Sequence, residues 1–365
     1  MKSSLKFWQI QMNDKRYYEF KTDLEAYPDA WCYVVYSKRG AGKTYSGLLY
    51  AYKHNIPIIY MKRTNEDVAF ICKGDVDGLD TSPYVPLNRD HGIDVYAKNI
   101  DKGVGGFWHY EDGSADGLPI AYCLSLNAVK RVKGFDASRC DWIIFDEFIP
   151  QIGERISRSE GEQLLDLYMT VSRDRQKRNK KPLKLILFAN AEEISTPITN
   201  TLEIVDDIAD LNASGATHYY NEERGILIHH ITSDEFPIEE AEKSGIYQAM
   251  KNTAWGMKSF EGEFSHNDFT NVTMKSLKGY HGYIHIHYKT HDYYIYQNND
   301  GFYYMCSSRT RCMFVYDLNR ENEQKLFYIN HQIDLRDECI NEKMKFQKYS
   351  MYDLIINYTK IFNIR

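Results

Sequence analysis

Ser37-Lys38-Arg39-Gly40-Ala41-Gly42-Lys43-Thr44 follows an apolar run, Trp31-Cys32-Tyr33-Val34-Val35-Tyr36, and leads into a helix-compatible stretch from Tyr45 to Tyr52. A strand that turns through such a loop into a helix aims several backbone N–H groups and a helix N-terminus at one spot, which is a seat for an anion. The eight residues are the candidate nucleotide-binding set. Lys43 would reach the β- and γ-phosphates, and the Thr44 hydroxyl would ligate Mg²⁺. Ser37 stands where the usual pattern has its first glycine. Taken alone, the loop competes with a chance glycine turn.

A second motif strengthens the reading. Trp142-Ile143-Ile144-Phe145 is an unbroken apolar run ending in Asp146-Glu147. A strand covered on both faces of a parallel sheet reads this way. Its C-terminal end is where open α/β sheets bind ligands. Asp146 is the candidate for holding the Mg²⁺ water shell. Glu147 is the candidate base that orients and deprotonates an attacking water. One such run is commonly a buried strand with a solvated acidic end. Two such motifs, expected on adjacent strands, point together to ATP or GTP with Mg²⁺.

The 365 residues are enough for two domains. A formal net charge of −6 advertises no global basic field for nucleic acid. Seven cysteines form no C-x-x-C pair and no metal spacing with histidine, so reduced thiols are expected rather than a disulfide framework. There is no signal-peptide pattern, and no apolar run approaches about 18 residues. The expectation is a soluble intracellular protein with no membrane partner. The 30 tyrosines read as packing and interface surface; base stacking has no specific pattern behind it.

Further strands are expected at Ile56–Met61, Ala121–Leu126 and Leu183–Ala189, and a helix at Glu160–Ser172, with a loop-rich insertion with short strands over 73–119. Strands alternating with helical segments predict an α/β fold with a mostly parallel sheet. From about residue 232 the texture changes. Phe236 to Asn252 reads as one helix, followed by short aromatic strands at Tyr283–Tyr288, Tyr293–Gln297, Phe302–Cys306 and Met313–Tyr316. An Asn298-Asn299-Asp300-Gly301 hairpin turn and a closing helical stretch, Tyr349–Phe362, complete the chain. The expected division is a nucleotide-binding domain over 1–232, a helical linker over 233–265 and a small α+β domain over 266–365.

Asn190 ends the strand after the acidic one. It is either a sensor of the γ-phosphate or attacking water, or a strand-end turn residue. Arg173 to Lys181 holds six positive residues in nine. That run is either a solvated loop, the source of an arginine reaching a neighbouring subunit's γ-phosphate, or a contact to a phosphate backbone. Lys130-Arg131-Val132-Lys133-Gly134, with Arg139 nearby, is a second basic cluster. Segregated positive loops on an acidic body suit a protein that grips a polyanion at one place. Strand 283–288 carries no acid, whereas a two-metal nuclease needs clustered carboxylates. His285, His287 and His291, without acidic partners on neighbouring strands, are expected to be polar packing residues more than metal ligands.

The loop with Arg39 inside it, the Ile58-Ile59-Tyr60-Met61-Lys62-Arg63 strand end, the Ile143–Ile149 block around Asp146-Glu147, Arg173-x-Arg175 and Phe188-Ala189-Asn190-Ala191 occur in this order. Together they resemble the DNA packaging (encapsidation) ATPases of small podoviruses, compact relatives of large terminases. The likeness is good over 31–200 and faint over 201–365. It implies a P-loop NTPase of the added-strand, catalytic-glutamate class, followed by an RNase H-like domain without nuclease activity. It also implies a homo-oligomeric ring, a pentamer, in the host cytoplasm. That ring would dock on the viral portal of a procapsid through a structural packaging RNA and drive double-stranded DNA inward with ATP and Mg²⁺. By position, Arg173 matches a trans-acting arginine finger, with Arg175 next to it, and Lys133 a basic residue acting across the subunit interface. A nuclease-bearing large terminase, a small-molecule phosphotransferase and a non-hydrolysing nucleotide scaffold remain as other readings.

Overall fold

The computed structural model describes residues 17–74, 80–109, 117–129, 137–151, 153–154, 156–232, 244–253, 256, 264 and 267–364. The chain divides into two compact units, Met1–Glu193 with Ser214–Ser265, and Ile194–Ala213 with His266–Arg365.

The first unit is built on a nine-stranded sheet. In chain order its elements are α1 (Phe20–Ala26), β1 (Cys32–Ser37), α2 (Lys43–Lys53), β2 (Ile58–Lys62), α3 (Asn65–Ile71), α4 (Val85–His91), β3 (Val95–Asp101), β4 (Val104–His109), β5 (Ala121–Ser125), β6 (Trp142–Asp146), α5 (Glu160–Ser172), β7 (Lys184–Asn190), β8 (His218–Asn221) and β9 (Ile226–Ile231). The strand order is β3-β4-β5-β2-β6-β7-β1-β9-β8. The six central strands, β5 to β9 in that order, pair in parallel, and the β3–β4 and β8–β9 hairpins close the edges antiparallel. Every residue of β1 and β5 is buried, as two-sided coverage requires.

Two sequence expectations change here. β1 and β6 are not adjacent, because β7 lies between them and pairs with both. The chain returns through α5 to slot β7 into that gap, and strand order across a parallel sheet leaves no local signal. The insertion over 73–119 carries the expected short strands, as the β3–β4 hairpin, and adds a helix that was not expected, α4. Of the helix expected over 236–252, residues 236–243 lie outside the described residues and Gly245–Met250 is helical. The β8–β9 hairpin was not anticipated at all.

Phe20 of α1 is fully buried and meets the rings of Tyr33, Trp142 and Phe188 edge-on at 5.5–5.7 Å. These contacts fasten α1 across β1, β6 and β7, the three strands that carry the site.

The second unit has a five-stranded sheet of β10 (Tyr280–Tyr288), β11 (His291–Asn298), β12 (Tyr303–Cys306), β13 (Phe314–Asp317) and β14 (Met344–Phe346), ordered β13-β10-β11-β12-β14. The helices Pro197–Thr201 and Val205–Ser214 come from upstream in the chain. Gly301, at φ +80°, turns β11 into β12. The antiparallel register sets His287 opposite Asp292. One carboxylate oxygen of Asp292 lies 2.8 Å from His285 Nε2 and 3.0 Å from His287 Nδ1. The histidines therefore do have an acidic partner, one that only strand pairing reveals, and His291 approaches Glu203 at 3.5 Å. All seven cysteines are free thiols. Among the described residues, no helix is long and apolar enough to cross a membrane.

Gly47 shows how closely α2 seats on the sheet. A Cβ there would lie 2.8 Å from Cε2 and 3.0 Å from Cζ of Phe188, a fully buried ring locked against Phe20. Gly47→Ala gains about 1 kcal/mol of helix propensity, but overpacking costs about 1–3 kcal/mol. A net loss of about 1 kcal/mol is expected, read as a lower denaturant midpoint. An unchanged or higher midpoint would contradict the close α2–β7 seat.

Candidate functional site at the carboxyl ends of the central strands

Ser37 ends β1, Asp146 ends β6 and Asn190 ends β7; parallel pairing brings all three to one edge of the sheet. The loop after β1 turns through Gly40 at φ +79° and Gly42 at φ +86°, left-handed conformations that favour glycine. Among the described residues, nothing lies within 4 Å of the position a Gly40 Cβ would take. The 11-residue α2 then starts at Lys43, so its unpaired N–H groups face the loop. A cleft of about 310 Å³ results, lined by residues 39–45, Asp146, Glu147, Ala189 and Asn190.

Asp146 is the hub. Its Oδ1 accepts from Thr44 Oγ1 at 2.8 Å, and its Oδ2 accepts from Tyr60 OH at 2.8 Å and Lys62 Nζ at 3.0 Å. Burial alone would raise the carboxyl's pKa, but the Lys62 charge and these hydrogen bonds outweigh it and hold the group below its ordinary value. Burial and the Asp146 charge push the Tyr60 phenol well up, so Tyr60 stays a donor. Burial acts to lower Lys62, but Asp146 and Glu147 prevail and raise it.

Glu147 adopts φ +59°. A non-glycine residue there costs about 1–2 kcal/mol, and the turn brings the side chain to the cleft, half-exposed, with Oε2 2.8 Å from Lys62 Nζ. Lys43 Nζ donates to Ser37 Oγ, to the Lys38 carbonyl at 3.2 Å and to Asn190 Oδ1 at 3.4 Å. Burial lowers its pKa to about 8, against the pull of Asp146 and Glu147. Serine in place of the first glycine thus gives the loop lysine a hydroxyl partner. Thr44 and Asp146 offer two hard oxygen donors side by side, a set that fits Mg²⁺.

The sequence-read residues of residues 37–44, with Asp146, Glu147 and Asn190, are brought together. Tyr60 and Lys62, read in the sequence only as part of a strand end, are neighbours of this cluster. The available signal was a lysine closing an otherwise apolar buried strand, β2, whose Met61 pairs with Phe145.

Arg173 and Arg175 lie elsewhere. They follow α5 and precede β7, at the amino end of that strand, opposite the cleft. Arg173 is exposed. Arg175 is only 4% exposed and fully engaged: Nε donates to the Lys181 carbonyl at 2.8 Å, and the two Nη groups to the Cys140 carbonyl at 2.6 Å and Asp141 Oδ1 at 2.5 Å. Arg175 is therefore a brace and not a free finger. Lys133 and residues 130–136 around it lie outside the described residues. Arg178 and Lys180 donate to the Ser138 side chain and carbonyl, at 2.9 and 2.8 Å, so the 173–181 run converges on the segment that precedes β6.

Arg175→Ala is expected to lower stability by about 2–4 kcal/mol, because a buried carbonyl and Asp141 lose charged donors. Arg173→Ala should change it by less than about 0.5 kcal/mol. Parallel chemical denaturation of the two variants checks this; equal effects would overturn the assignment of Arg175 as the brace.

No protein-family model and no curated protein sequence matches the chain. Solved structures do. The chain is similar to that of the bacteriophage phi-29 viral genome packaging motor assembly, with a TM-score of 0.65 and 16% identity over 95% of this chain and 99% of that one. It is likewise similar to the phi-28 gp11 DNA packaging motor, with a TM-score of 0.63 and 15% identity over 96% of this chain and 99% of that one. At these identities the chain shares a fold with the two motors, a mixed α/β architecture with a large, mostly parallel sheet.

Proposed function

We propose that this chain is the ATP-hydrolysing subunit of a viral motor that drives double-stranded DNA into a preformed procapsid. The observation that carries the reading is the meeting of Lys43, Thr44, Asp146, Glu147 and Asn190 around one glycine loop. The fold shared with two packaging motors supports it. In this reading residues 37–44 are a P-loop, and β7, set between β1 and β6, is the added strand of the catalytic-glutamate class.

The residues divide the work as follows. Backbone N–H groups of the loop and α2 hold the β- and γ-phosphates, and Lys43 exchanges its contacts with Ser37, Lys38 and Asn190 for phosphate oxygens. Thr44 and Asp146 would hold Mg²⁺, which supplies charge neutralisation on the phosphates. Glu147 takes the proton of the water whose oxygen bonds to the γ-phosphorus as the bond to the ADP oxygen breaks. Lys62 must release Glu147 for this, since a carboxylate held by an ammonium is a weaker base. Asn190, beside Lys43, is placed to register the γ-phosphate.

Assembly extends the reading. Arg173 precedes the amino end of β7, at the opposite end of the strands from the cleft, so a finger role requires a neighbouring subunit, as in a homo-oligomeric ring, a pentamer. Lys133 would act across the same interface. The second unit is proposed as an RNase H-like domain without nuclease activity, supported by the absence of any acid on β10. The ring would dock at the portal of a procapsid in the host cytoplasm, through a structural packaging RNA.

Glu147→Gln should bind ATP as the parent does and lose at least about 10²-fold in turnover, measured by nucleotide binding and phosphate release with and without double-stranded DNA. Parent turnover stimulated by DNA supports the motor. Turnover dependent on a small acceptor would instead indicate a phosphotransferase. A second expectation concerns Arg173: Arg173→Ala and Lys43→Ala subunits, each inactive alone, should regain partial activity when mixed. A finger supplied by a neighbour is worth roughly 10³–10⁵ in rate in related systems. No recovery in demonstrably mixed rings would remove the trans role.

A further inference from the structure

A second cluster of ionisable groups lies away from the cleft, where α1 meets the edge hairpin. Asp23 of α1 is 1% exposed. His218 on β8 and His229 on β9 are directly opposed in the strand register and so share a face, with ring centroids 3.8 Å apart. Both present a nitrogen to the same carboxylate: His229 Nδ1 at 2.8 Å from Oδ2 and His218 Nε2 at 3.5 Å from Oδ1. One ligand atom from each of the three lies within 4.8 Å of the other two.

We propose that Asp23, His218 and His229 form a site for a borderline divalent transition metal of the zinc class, which staples α1 to the β8–β9 edge of the sheet. Two imidazoles and a carboxylate are a common three-ligand set for such ions, the fourth position being left to water. The outer contacts fit. His218 Nδ1 lies 2.9 Å from Thr217 Oγ1, which leaves Nε2 facing Asp23, and Tyr18 OH donates to Asp23 Oδ2 at 2.6 Å. Such partners fix the tautomer and orientation of metal-ligating groups. On binding, the ring protons that face the carboxylate are released and the ion takes their place. The His218 ring, on the outermost strand and partly exposed, is the one that swings in.

The test uses the full chain, stripped with a chelator and titrated with Co²⁺ and Zn²⁺. Co²⁺ should develop the visible absorption of a low-coordinate nitrogen–oxygen site at about one ion per chain, and Zn²⁺ should displace it and raise the melting temperature. His218→Ala should weaken binding at least about tenfold and abolish the absorption; its apo melting temperature falls with the lost contacts to Asp23 and His229, and the rise on adding Zn²⁺ should be lost. Asp23→Asn should do the same to the spectrum. No visible band, or one that survives His218→Ala, would overturn the site. Nucleotide binding at Lys43 is read separately and decides nothing about it.

Discussion

A largely covered carboxylate at the end of a buried strand is the constraint on which the first unit turns. Asp146 accepts hydrogen bonds from Thr44, Tyr60 and Lys62, groups from α2 and β2 on either side of β6. An unpaired charge there would cost several kcal/mol, so the three elements must meet where they do. The same requirement positions Lys62 on Glu147, the proposed base. Site geometry and fold stability are thus one set of contacts.

The sheet order follows from the same arrangement. With β7 between β1 and β6, Asn190 falls beside Lys43, and the three strand ends form the floor of a single cleft. Phe20, Phe188 and Gly47 hold α1 and α2 tightly across those strands, so the loop lysine and the strand-end acids cannot drift independently. The brace at the opposite end is Arg175, whose donors join the segment before β6 to the one before β7.

What was legible in the sequence was local. The apolar runs of β1, β6 and β7 announce themselves because burial on both faces demands unbroken hydrophobicity. The glycine loop and the acidic pair announce themselves because their chemistry is carried by neighbouring residues. The rest depends on pairing between distant segments. Lys62 is an ordinary strand-end lysine until β2 is set beside β6. Arg173 and Arg175 look equivalent until one is found buried against Cys140 and Asp141. The Asp292 partner of His285 and His287 exists only through the β10–β11 register. At the β8–β9 edge, Ile226-Leu227-Ile228 is a short apolar run, and only its strand's pairing with β8 sets His218 against His229.

The most direct test of the account is a structure of the chain with Mg²⁺ and a non-hydrolysable ATP analogue. The account predicts phosphates over residues 39–44, Lys43 turned from Ser37 and Asn190 to a phosphate oxygen, the Thr44–Asp146 hydrogen bond replaced by a shared ion, and Glu147 released from Lys62. A nucleotide bound away from this loop, or a Thr44–Asp146 bond left intact beneath a bound one, would contradict it.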